Sequence, residues 1–389
     1  MAKPVPRPEL FARLTRRESG VSFPEATSVA WPGSALPTGD HPARAAVETL
    51  VERHADNRPM YVLFSGGRDS SCLLAIATHV CRRLGHDDPV PVTGRHPAAP
   101  MSDESQWQEI VLKHLGIRSR ILLDFSGEQS LLGPHATAAL RRHSVVWPPA
   151  VQVHGAFYGA FDAGVVLTGE GGDQMVTGRR ITPLTSAWRE RRPKRVAKES
   201  VRVAFPRRFR PSEASLREQF ARAAPWLTPM GLSQLTASVW EAGRDPIRWE
   251  AGVRREWSLR TNRIGDQNIA AAAAEYGHTL VNPFLQREFA DALANEGRWF
   301  GRGDRTDLMR RLAGDLLPDE VLRRTSKAAF NETRWLEPER EFARIWDGSG
   351  VDEQYVVPEL LRASWLGPEP NPLASYQLHL AWTAAMGAP

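Results

Sequence analysis

The amino-acid sequence predicts an α/β fold in which a doubly wound parallel sheet is followed by a helical C-terminal portion. From about residue 58, short apolar strands alternate with amphipathic helices, and two of these strands run directly into glycine-rich loops. Strand-like patterns vanish after about Gly178. Repeated strand–helix units of this size imply parallel strands with helices on both faces of the sheet.

Four strands are predicted before Gly178, each from a short apolar run. They cover Met60–Phe64, Val90–Val92, Arg120–Leu123 and Val165–Thr168. We expect a helix after the first strand that stops at Gly85, and a second helix that begins at a Ser102 cap and stops at Gly116. A third helix is predicted near Val151–Phe161.

Helices account for most of the remaining chain. They are predicted at 213–224, 230–242, 245–276, 284–296, 304–315 and 356–384, and another at 41–54 precedes the first strand. This pattern divides the chain into an N-terminal extension at 1–57, a central domain at 58–335 and a helical C-terminal extension at 336–389. The N-terminal extension is too short to be a catalytic domain of its own.

Composition and charge restrict the class of protein. Hydrophobic residues make up 42% of the chain and charged residues 24%, which is typical of globular proteins. No apolar run approaches the roughly 20 residues that span a bilayer, and two cysteines are too few for a disulfide framework. We therefore expect a cytoplasmic protein with no membrane partner. The net charge of +5 favours acidic partners such as phosphates, acidic peptides or nucleic acid.

Much of the positive charge lies in one segment, from Arg179 to Arg210. This basic segment contains twelve lysine and arginine residues against only Glu190 and Glu199. It is either a solvated surface segment or a surface that concentrates an anionic substrate near an active site.

A glycine-rich loop with the sequence SGGRDSS lies between the first strand and the helix after it. Two glycines let the backbone approach a ligand closely, and the N-terminus of the following helix presents free N–H groups to an anion. An acid within an anion site implies a shared cation, so Asp69 is a predicted Mg²⁺ ligand. The residues assigned to phosphate binding are Ser65, Gly66, Gly67, Asp69, Ser70 and Ser71.

A second loop, TGEGGDQ, follows the fourth strand. Ligands of open parallel sheets bind beyond the carboxyl ends of the strands, so we expect the two loops to meet there. Asp173 would then share Mg²⁺ with Asp69, and the glycines would leave room for a nucleotide. The nucleotide-binding residues assigned in this loop are Thr168, Gly169, Gly171 and Gly172.

The first loop lacks the Gly-Lys-Ser/Thr of a Walker loop. It resembles the loop of the pyrophosphatase-type ATP enzymes, which cleave ATP between the α and β phosphates. Together, the two loops resemble the synthetase domain of asparagine synthetases over about residues 58–335. The resemblance implies a sheet of the adenine-nucleotide alpha-hydrolase type, ATP and Mg²⁺ as cofactors, and a carboxylate substrate that is activated as an acyl-adenylate.

Three further segments carry the same resemblance. They are Ser102-Asp103-Glu104 with His114-Leu115-Gly116, Asn282-Pro283-Phe284-Leu285, and Arg324-Thr325-Ser326-Lys327-Ala328-Ala329-Phe330. The family's lysine in the last motif contacts the ATP phosphates, which implies this role for Lys327. Glu170 is the nearest candidate general base for an attacking amine.

The chain also departs from the asparagine synthetases. Ala2 stands where their glutaminase domain has a cysteine nucleophile, so we expect no ammonia production from glutamine. Thr279-Leu280-Val281 replaces their Glu-Ala-Arg, and Gln174 replaces an acid. Free aspartate is therefore not the expected acceptor.

The remainder is similar to the macrolactam-forming members, namely the β-lactam synthetases and especially the lasso-peptide cyclases, in which an amine of the substrate attacks its own adenylate. This resemblance implies an amide ligase that acts on a peptide with an acidic side chain. A leader peptidase or a precursor-binding protein is a candidate partner. Trp188 and Trp226 are candidates for the lining of a peptide groove.

Two other functions stay open. The basic segment would suit a tRNA- or nucleoside-modifying enzyme of the same superfamily, although the acidic second loop and the lack of a zinc module or a thiol pair disfavour nucleic acid. Thr279 and Gln174 would also suit an ATP-binding protein that has lost catalysis.

Overall fold

A five-stranded, all-parallel sheet forms the centre of the fold. The computed structural model describes residues 3–29, 41–56, 58–97, 99, 102–204, 212–326, 333–368 and 370–387. The strands are β1 (Met60–Leu63), β2 (Val90–Arg95), β3 (Ile121–Asp124), β4 (Val165–Thr168) and β5 (Thr279–Val281). Their spatial order is β3-β2-β1-β4-β5, so the strand order reverses between β1 and β4. The predicted parallel α/β fold is confirmed.

Helices occupy most of the rest of the described chain. Those up to residue 204 are α1 (Arg16–Val21), α2 (Pro42–His54), α3 (Arg68–Leu84), α4 (Ser105–Leu115), α5 (Pro134–His143), α6 (Gly155–Tyr158), α7 (Gly172–Met175), α8 (Thr182–Arg189) and α9 (Pro193–Ala204). The later ones are α10 (Glu213–Ala223), α11 (Pro229–Ala242), α12 (Trp249–Ser258), α13 (Arg260–Ala274), α14 (Arg287–Gly297), α15 (Arg305–Ala313), α16 (Asp319–Leu322), α17 (Glu337–Ile345), α18 (Pro358–Trp365) and α19 (Ala374–Ala385). Short 3₁₀ turns lie at Pro8–Leu10, Pro149–Val153 and Pro283–Leu285.

Strand β5 was not predicted from the sequence. It pairs in parallel with β4, with Thr279 opposite Val165. A strand of three residues is too short to display an alternating pattern, and it follows a long run of helical sequence. The structure therefore corrects the prediction that strands end before Gly178.

Two predicted helix ends are confirmed, and one predicted helix start is wrong. Gly85 and Gly116 terminate α3 and α4 in the left-handed conformation, with φ of 74° and 69°. The predicted Ser102 cap is wrong, because α4 begins only after Glu104. The Ser102 hydroxyl instead donates to the Ala99 carbonyl at 2.7 Å. The helix expected near 151–161 is a 3₁₀ turn followed by the single turn of α6.

Apolar side chains of the sheet pack on both of its faces. Val62 of β1 belongs to a core that contains residues of α2, α3, α12 and α14, whereas its neighbour Tyr61 belongs to a second core with residues of α13. Val166 and Leu167 of β4 divide between the two cores in the same way. Because both faces of these strands are covered, their residues are apolar apart from the Tyr61 hydroxyl and Thr168, the last residue of β4.

A third core joins the C-terminal helices to α5 and α11, and it is rich in tryptophan. Its tryptophans are Trp226, Trp335, Trp346, Trp365 and Trp382. Trp226 is only 2% exposed and packs within this core, whereas Trp188 on α8 is 73% exposed; neither lines the cavity described below, so the predicted peptide groove stays a prediction. Among the described residues, no helix is both long and apolar enough to cross a bilayer.

Candidate active site

The two glycine-rich loops leave the sheet side by side. β1 and β4 are neighbours, and the last residue of β1, Leu63, lies opposite Thr168 at the end of β4. This is the point at which the strand order reverses, where open α/β sheets bind their ligands. The expected meeting of the two loops is confirmed.

The first loop is shaped by one glycine and by its own serines. Gly66 has φ of 88°, a conformation that residues with a side chain rarely adopt. The Ser65 hydroxyl accepts the Gly67 N–H at 3.2 Å and lies 3.1 Å from the Ser70 hydroxyl, which donates to the Gly67 carbonyl. The Ser71 hydroxyl is buried with no partner among the described residues. The loop therefore opens onto the N-terminus of α3, a suitable cradle for an anion.

Asp69 and Asp173 lie on either side of one guanidinium, that of Arg305 at the start of α15. Arg305 Nη2 donates to both oxygens of Asp69, at 2.7 and 2.6 Å, and lies 2.8 Å from Asp173 Oδ1. Its Nη1 donates to the carbonyls of Gly172 and Val176, at 3.0 and 3.1 Å. The two predicted metal ligands are thus brought together, and a cation of the chain itself lies between them.

The second loop packs directly on the first. A Cβ built at Gly172 would lie 2.4 Å from the Asp69 carboxylate, and one at Gly169 would lie 2.9 Å from the Ser70 nitrogen. Gly171 between them has φ of 83°. Burial raises the pKa of the Asp69 carboxyl, and Arg305 acts in the opposite direction. A buried acid beside a second acid is suited to a cation rather than to bulk water.

The donor set fits Mg²⁺. Two carboxylates from adjacent loops offer the hard oxygen ligands that this ion prefers, and the guanidinium of Arg305 shows that the space between them accepts positive charge. Within the described ranges, no group of three or more His, Cys, Asp and Glu side chains could hold a metal. The other ligands of a Mg²⁺ ion would be water and phosphate oxygens, as is usual for this metal.

The late basic motif is tied to the first loop through Arg324. Its guanidinium donates to the Gly66 carbonyl at 2.9 Å, forms a buried ion pair with Glu104 and lies over the Trp107 ring. Ser326, the next residue but one, lines the same cavity as the phosphate loop. Lys327 follows it directly but lies outside the described residues, so its role stays a prediction.

Buried polar side chains hydrogen-bond to the backbone of the second loop and to one another. The Thr168 hydroxyl donates to Asn282 Oδ1 at 2.7 Å and accepts the Glu170 N–H at 3.0 Å. Asn282 in turn donates to Asp266 at 2.5 Å. Burial raises the pKa of the Asp266 carboxyl. Thr168 therefore acts on the loop backbone, and its hydroxyl is already engaged within the protein.

Both loops, including Glu170, line a cavity of about 540 Å³. Gln129, His154, Tyr158 and Arg334 also line this cavity. We call these four residues the inner pocket. In each of them a buried polar atom has no hydrogen-bond partner among the described residues, namely Gln129 Nε2, His154 Nδ1, Tyr158 OH and Arg334 Nε. Buried polar atoms normally have partners, so these four atoms are unsatisfied within the described part of the chain.

Electrostatics distinguish the members of the inner pocket. Burial lowers the pKa of His154 to about 4, and nearby Arg334 acts in the same direction. Burial also raises the pKa of Tyr158, and the negative charge of Glu170 adds to that shift. Arg334 has no carboxylate within ion-pairing distance among the described residues. At neutral pH the pocket therefore offers a cation, a phenol, an amide and a neutral imidazole.

The basic segment begins inside the protein and continues on its surface. Arg179 donates to the Gln174 carbonyl at 2.7 Å and pairs with Glu256 at 3.2 Å. Arg192 and Arg195 are exposed beside Glu190. None of the described residues of this segment lines the 540 Å³ cavity. The segment is thus partly structural, and residues 205–210 lie outside the described part of the chain.

The fold and the paired loops define a parallel α/β protein with its candidate site at the strand-order reversal. The sequence profile of the family described as Asparagine synthase matches residues 43–384. Because this match covers most of the chain, the protein belongs to the asparagine synthase family and is an ATP-dependent amide-forming synthetase. A search of curated proteins finds no match. The match begins within α2, whereas the boundaries at 57 and 335 remain predictions.

Several site residues were not predicted from the sequence. They are Glu104 as a partner of Arg324, Asp266, Asn282 as a support for Thr168, Arg305 and the four residues of the inner pocket. The segments containing Glu104, Asn282 and Arg324 resemble the family in sequence, but the resemblance assigns no role to these three side chains. Arg305 and the inner pocket carry no local signal, because only the fold brings them to the loops.

Proposed function

We propose that the protein activates a substrate carboxylate as an acyl-adenylate and joins it to an amine, most simply an amine of the same peptide. The observation that carries this proposal is the adjacency of the two loops on β1 and β4, from which one cavity leads to the inner pocket. The loops that line this cavity would suit phosphates, and the inner pocket would suit an acid.

The proposed chemistry has two steps. A carboxylate oxygen of the substrate attacks the α-phosphorus of ATP, the α–β phosphate bond breaks, and pyrophosphate leaves. The amine nitrogen then attacks the acyl carbon and loses a proton, and AMP leaves with one oxygen of the original carboxylate. Binding both reactants in one cavity supplies proximity.

The chain's own groups have separate proposed roles. Asp69 and Asp173 would hold Mg²⁺, which when bound stabilises the charge on the phosphates as pyrophosphate leaves. Gly66, Gly67 and the N-terminus of α3 would cradle the phosphates, and Lys327 would contact them. Glu170 is the proposed base for the amine, since it lies at the wall of the cavity between the loops and the inner pocket.

The inner pocket supports an acidic substrate. A buried guanidinium without a carboxylate partner is costly unless a ligand supplies one. Arg334 would provide a charge-assisted hydrogen bond to an acid, and Tyr158 and Gln129 would donate to the same group or to the adjoining peptide. A peptide with an aspartate or glutamate side chain fits this arrangement, and lactam formation of the lasso-cyclase type is the proposed outcome. A leader peptidase or a precursor-binding protein remains the proposed partner, in the cytoplasm.

A product analysis tests this proposal. The purified protein is incubated with MgATP and a set of linear peptides that carry one acidic side chain and a free N-terminal amine. We expect AMP and pyrophosphate in equal amounts, together with a peptide that has lost one water. ADP and phosphate as products would overturn the adenylate mechanism. AMP with an amide to an added amine, but no cyclic peptide, would keep the mechanism and refute cyclisation.

A further inference from the structure

Arg305 makes a set of contacts that none of the sequence motifs predicts. A single nitrogen, Nη2, lies within 2.6 to 2.8 Å of three carboxylate oxygens, two on Asp69 and one on Asp173. Charge-assisted contacts of this length are strong. The guanidinium therefore satisfies the two acids at the position where a metal would have to bind both of them.

The position of Arg305 is held from two sides. Its Nη1 donates to two carbonyls of the second loop, those of Gly172 and Val176. Its backbone is the first residue of α15, where Asp304 caps the helix and accepts the N–H groups of Thr306 and Asp307, at 2.8 and 3.1 Å. The side chain is thus directed at the acids by a capped helix rather than by a free loop.

A metal and the guanidinium would compete for the same two carboxylates. Both oxygens of Asp69 already accept hydrogen bonds from Nη2. A divalent ion coordinated by Asp69 and Asp173 would lie a few ångströms from the guanidinium, where two cations in a partly buried site repel strongly. This repulsion favours loss of the guanidinium from these oxygens when a metal binds them.

We propose that Arg305 is the resident counter-cation of the Asp69–Asp173 pair and that a divalent metal binds the pair by displacing its guanidinium. Without metal, the arginine keeps two neighbouring acids together and the two loops in register. The metal alone must compete with a charge that is built into the chain. Metal that arrives with nucleotide has an advantage, because phosphate oxygens offer the displaced guanidinium new acceptors. This inference rests on the proposed function in one respect, namely that Asp69 and Asp173 form the metal site.

Binding of Mn²⁺ alone tests the competition. Free Mn²⁺ is titrated by its electron paramagnetic resonance signal, without nucleotide or substrate, against wild type, Arg305→Gln and Arg305→Lys. The matched control is Arg310→Gln on the same helix, whose guanidinium pairs with Asp319 at 2.5 and 2.9 Å outside the cavity. We expect Arg305→Gln to bind Mn²⁺ at least tenfold more tightly than wild type, and Arg305→Lys and the control to stay within about threefold of wild type.

The outcomes separate the role of Arg305 from the metal site itself. Equal affinity in wild type and Arg305→Gln, with binding lost in Asp69→Asn, would overturn the competition and leave the metal site intact. Weaker binding in Arg305→Gln would mean that the arginine organises the site for metal, and would also overturn it. No Mn²⁺ binding in any variant would remove the metal site along with the inference.

A second measurement does not depend on the glutamine variant folding. Wild-type protein labelled with ¹⁵N in arginine gives Nε–H signals, and the signal of Arg305 is identified by its loss in Arg305→Lys. We expect this signal to shift when Mg²⁺ is added, with the largest change when a non-hydrolysable ATP analogue is also present. A signal that stays in place at saturating metal and analogue would show that the guanidinium is not displaced.

Discussion

Two parts of the lining of the 540 Å³ cavity differ in how far the chain satisfies its own polar groups: the two loops with Arg305, which we call the sheet end, and the inner pocket. At the sheet end, Arg305 neutralises Asp69 and Asp173, and Ser65 and Ser70 bond to each other and to the loop backbone, so that Ser71 Oγ and Arg305 Nε are the buried polar atoms left without a partner among the described residues there. At the inner pocket, by contrast, Tyr158 OH and Arg334 Nε are buried without partners among the described residues.

The difference shows which polar groups of the proposed site have partners when no reactant is bound. In the proposed site, Arg305 and the serine hydroxyls take the places of the metal and the phosphates, so most polar groups of the sheet end have partners without a ligand. The inner pocket keeps a cation and several polar atoms uncompensated, which costs folding free energy and is retained where a ligand supplies the missing partners. Each of the following substitutions tests whether this division of roles is correct.

The largest effect is expected for the two acids at the sheet end. Asp69→Asn or Asp173→Asn should lower metal-dependent pyrophosphate release by about 10³-fold, because metal charge stabilisation is worth several kcal/mol and each 1.36 kcal/mol is tenfold in rate. The melting temperature should fall little, since an amide oxygen still accepts from Arg305. Asp88→Asn is the control, because Asp88 pairs with Arg82 at 2.7 Å outside the cavity. Near-normal release in both variants would refute a shared metal.

A smaller but selective effect is expected at the inner pocket. Arg334→Gln should lower kcat/KM for the acidic substrate by about 100-fold, equivalent to about 2.7 kcal/mol, because a buried charge-assisted contact is lost. The KM for ATP should stay within twofold. Arg344→Gln, which removes an exposed partner of Glu337, is the control. Equal losses for both reactants would mean that the two ends are not separate sites.

Lowering the pH should decrease the stability of the protein through two buried histidines, His154 in the inner pocket and His379 in the C-terminal helices. Of these two residues, only His154 should also affect substrate binding. Burial lowers the pKa of His154 and of His379 to about 4, from 6.5. Above pH 6.5 each ring is neutral in the folded and in the unfolded protein, so it does not change the free energy of unfolding. As the pH falls from 6.5 towards 4, the ring takes up a proton only in the unfolded state, and the free energy of unfolding decreases by up to about 2 kcal/mol per residue at pH 5. His154→Gln and His379→Gln should each flatten the stability–pH curve in urea unfolding.

Only His154→Gln should also change the KM for the acyl substrate, because the buried His379 packs beside the tryptophan-rich core and its Nε2 donates to the Leu131 carbonyl at 2.8 Å. A change in KM of similar size in His379→Gln would remove His154 from the substrate pocket.

The smallest effect is expected for the basic segment. Neutralising Arg191, Arg192, Lys194 and Arg195 together should raise the KM for an acidic peptide a few-fold at low salt and hardly at all at high salt, since exposed charges are screened beyond about 10 Å at 0.1 M salt. The KM for ATP should not change. If neither KM value changes in this variant, the described part of this segment is a solvated surface.

The parts of the fold that were predicted are those with a local signature. A strand that runs into SGGRDSS and a strand that runs into TGEGGDQ identify the sheet edge and both acids, because glycine, serine and aspartate are needed at fixed offsets there. The left-handed ends at Gly85 and Gly116 were predictable for the same reason.

The parts that were missed depend on contacts between distant segments. β5 is recognisable only by its pairing with β4, and Arg305 reaches Asp69 across 236 positions of the chain. The inner pocket combines Gln129, His154 and Tyr158 with Arg334 from the late motif region, and none of these has a neighbour in sequence that suggests a pocket. Contacts between residues so far apart in the chain leave no local pattern in the sequence.

The transfer of an oxygen atom tests the central claim most directly. An acidic peptide whose side-chain carboxylate carries ¹⁸O is incubated with the protein and MgATP, and the nucleotide product is analysed by mass spectrometry. If the carboxylate attacks the α-phosphorus, one ¹⁸O atom appears in AMP and none appears in pyrophosphate. Label in inorganic phosphate, with ADP as the other product, would show attack at the γ-phosphorus and contradict the account.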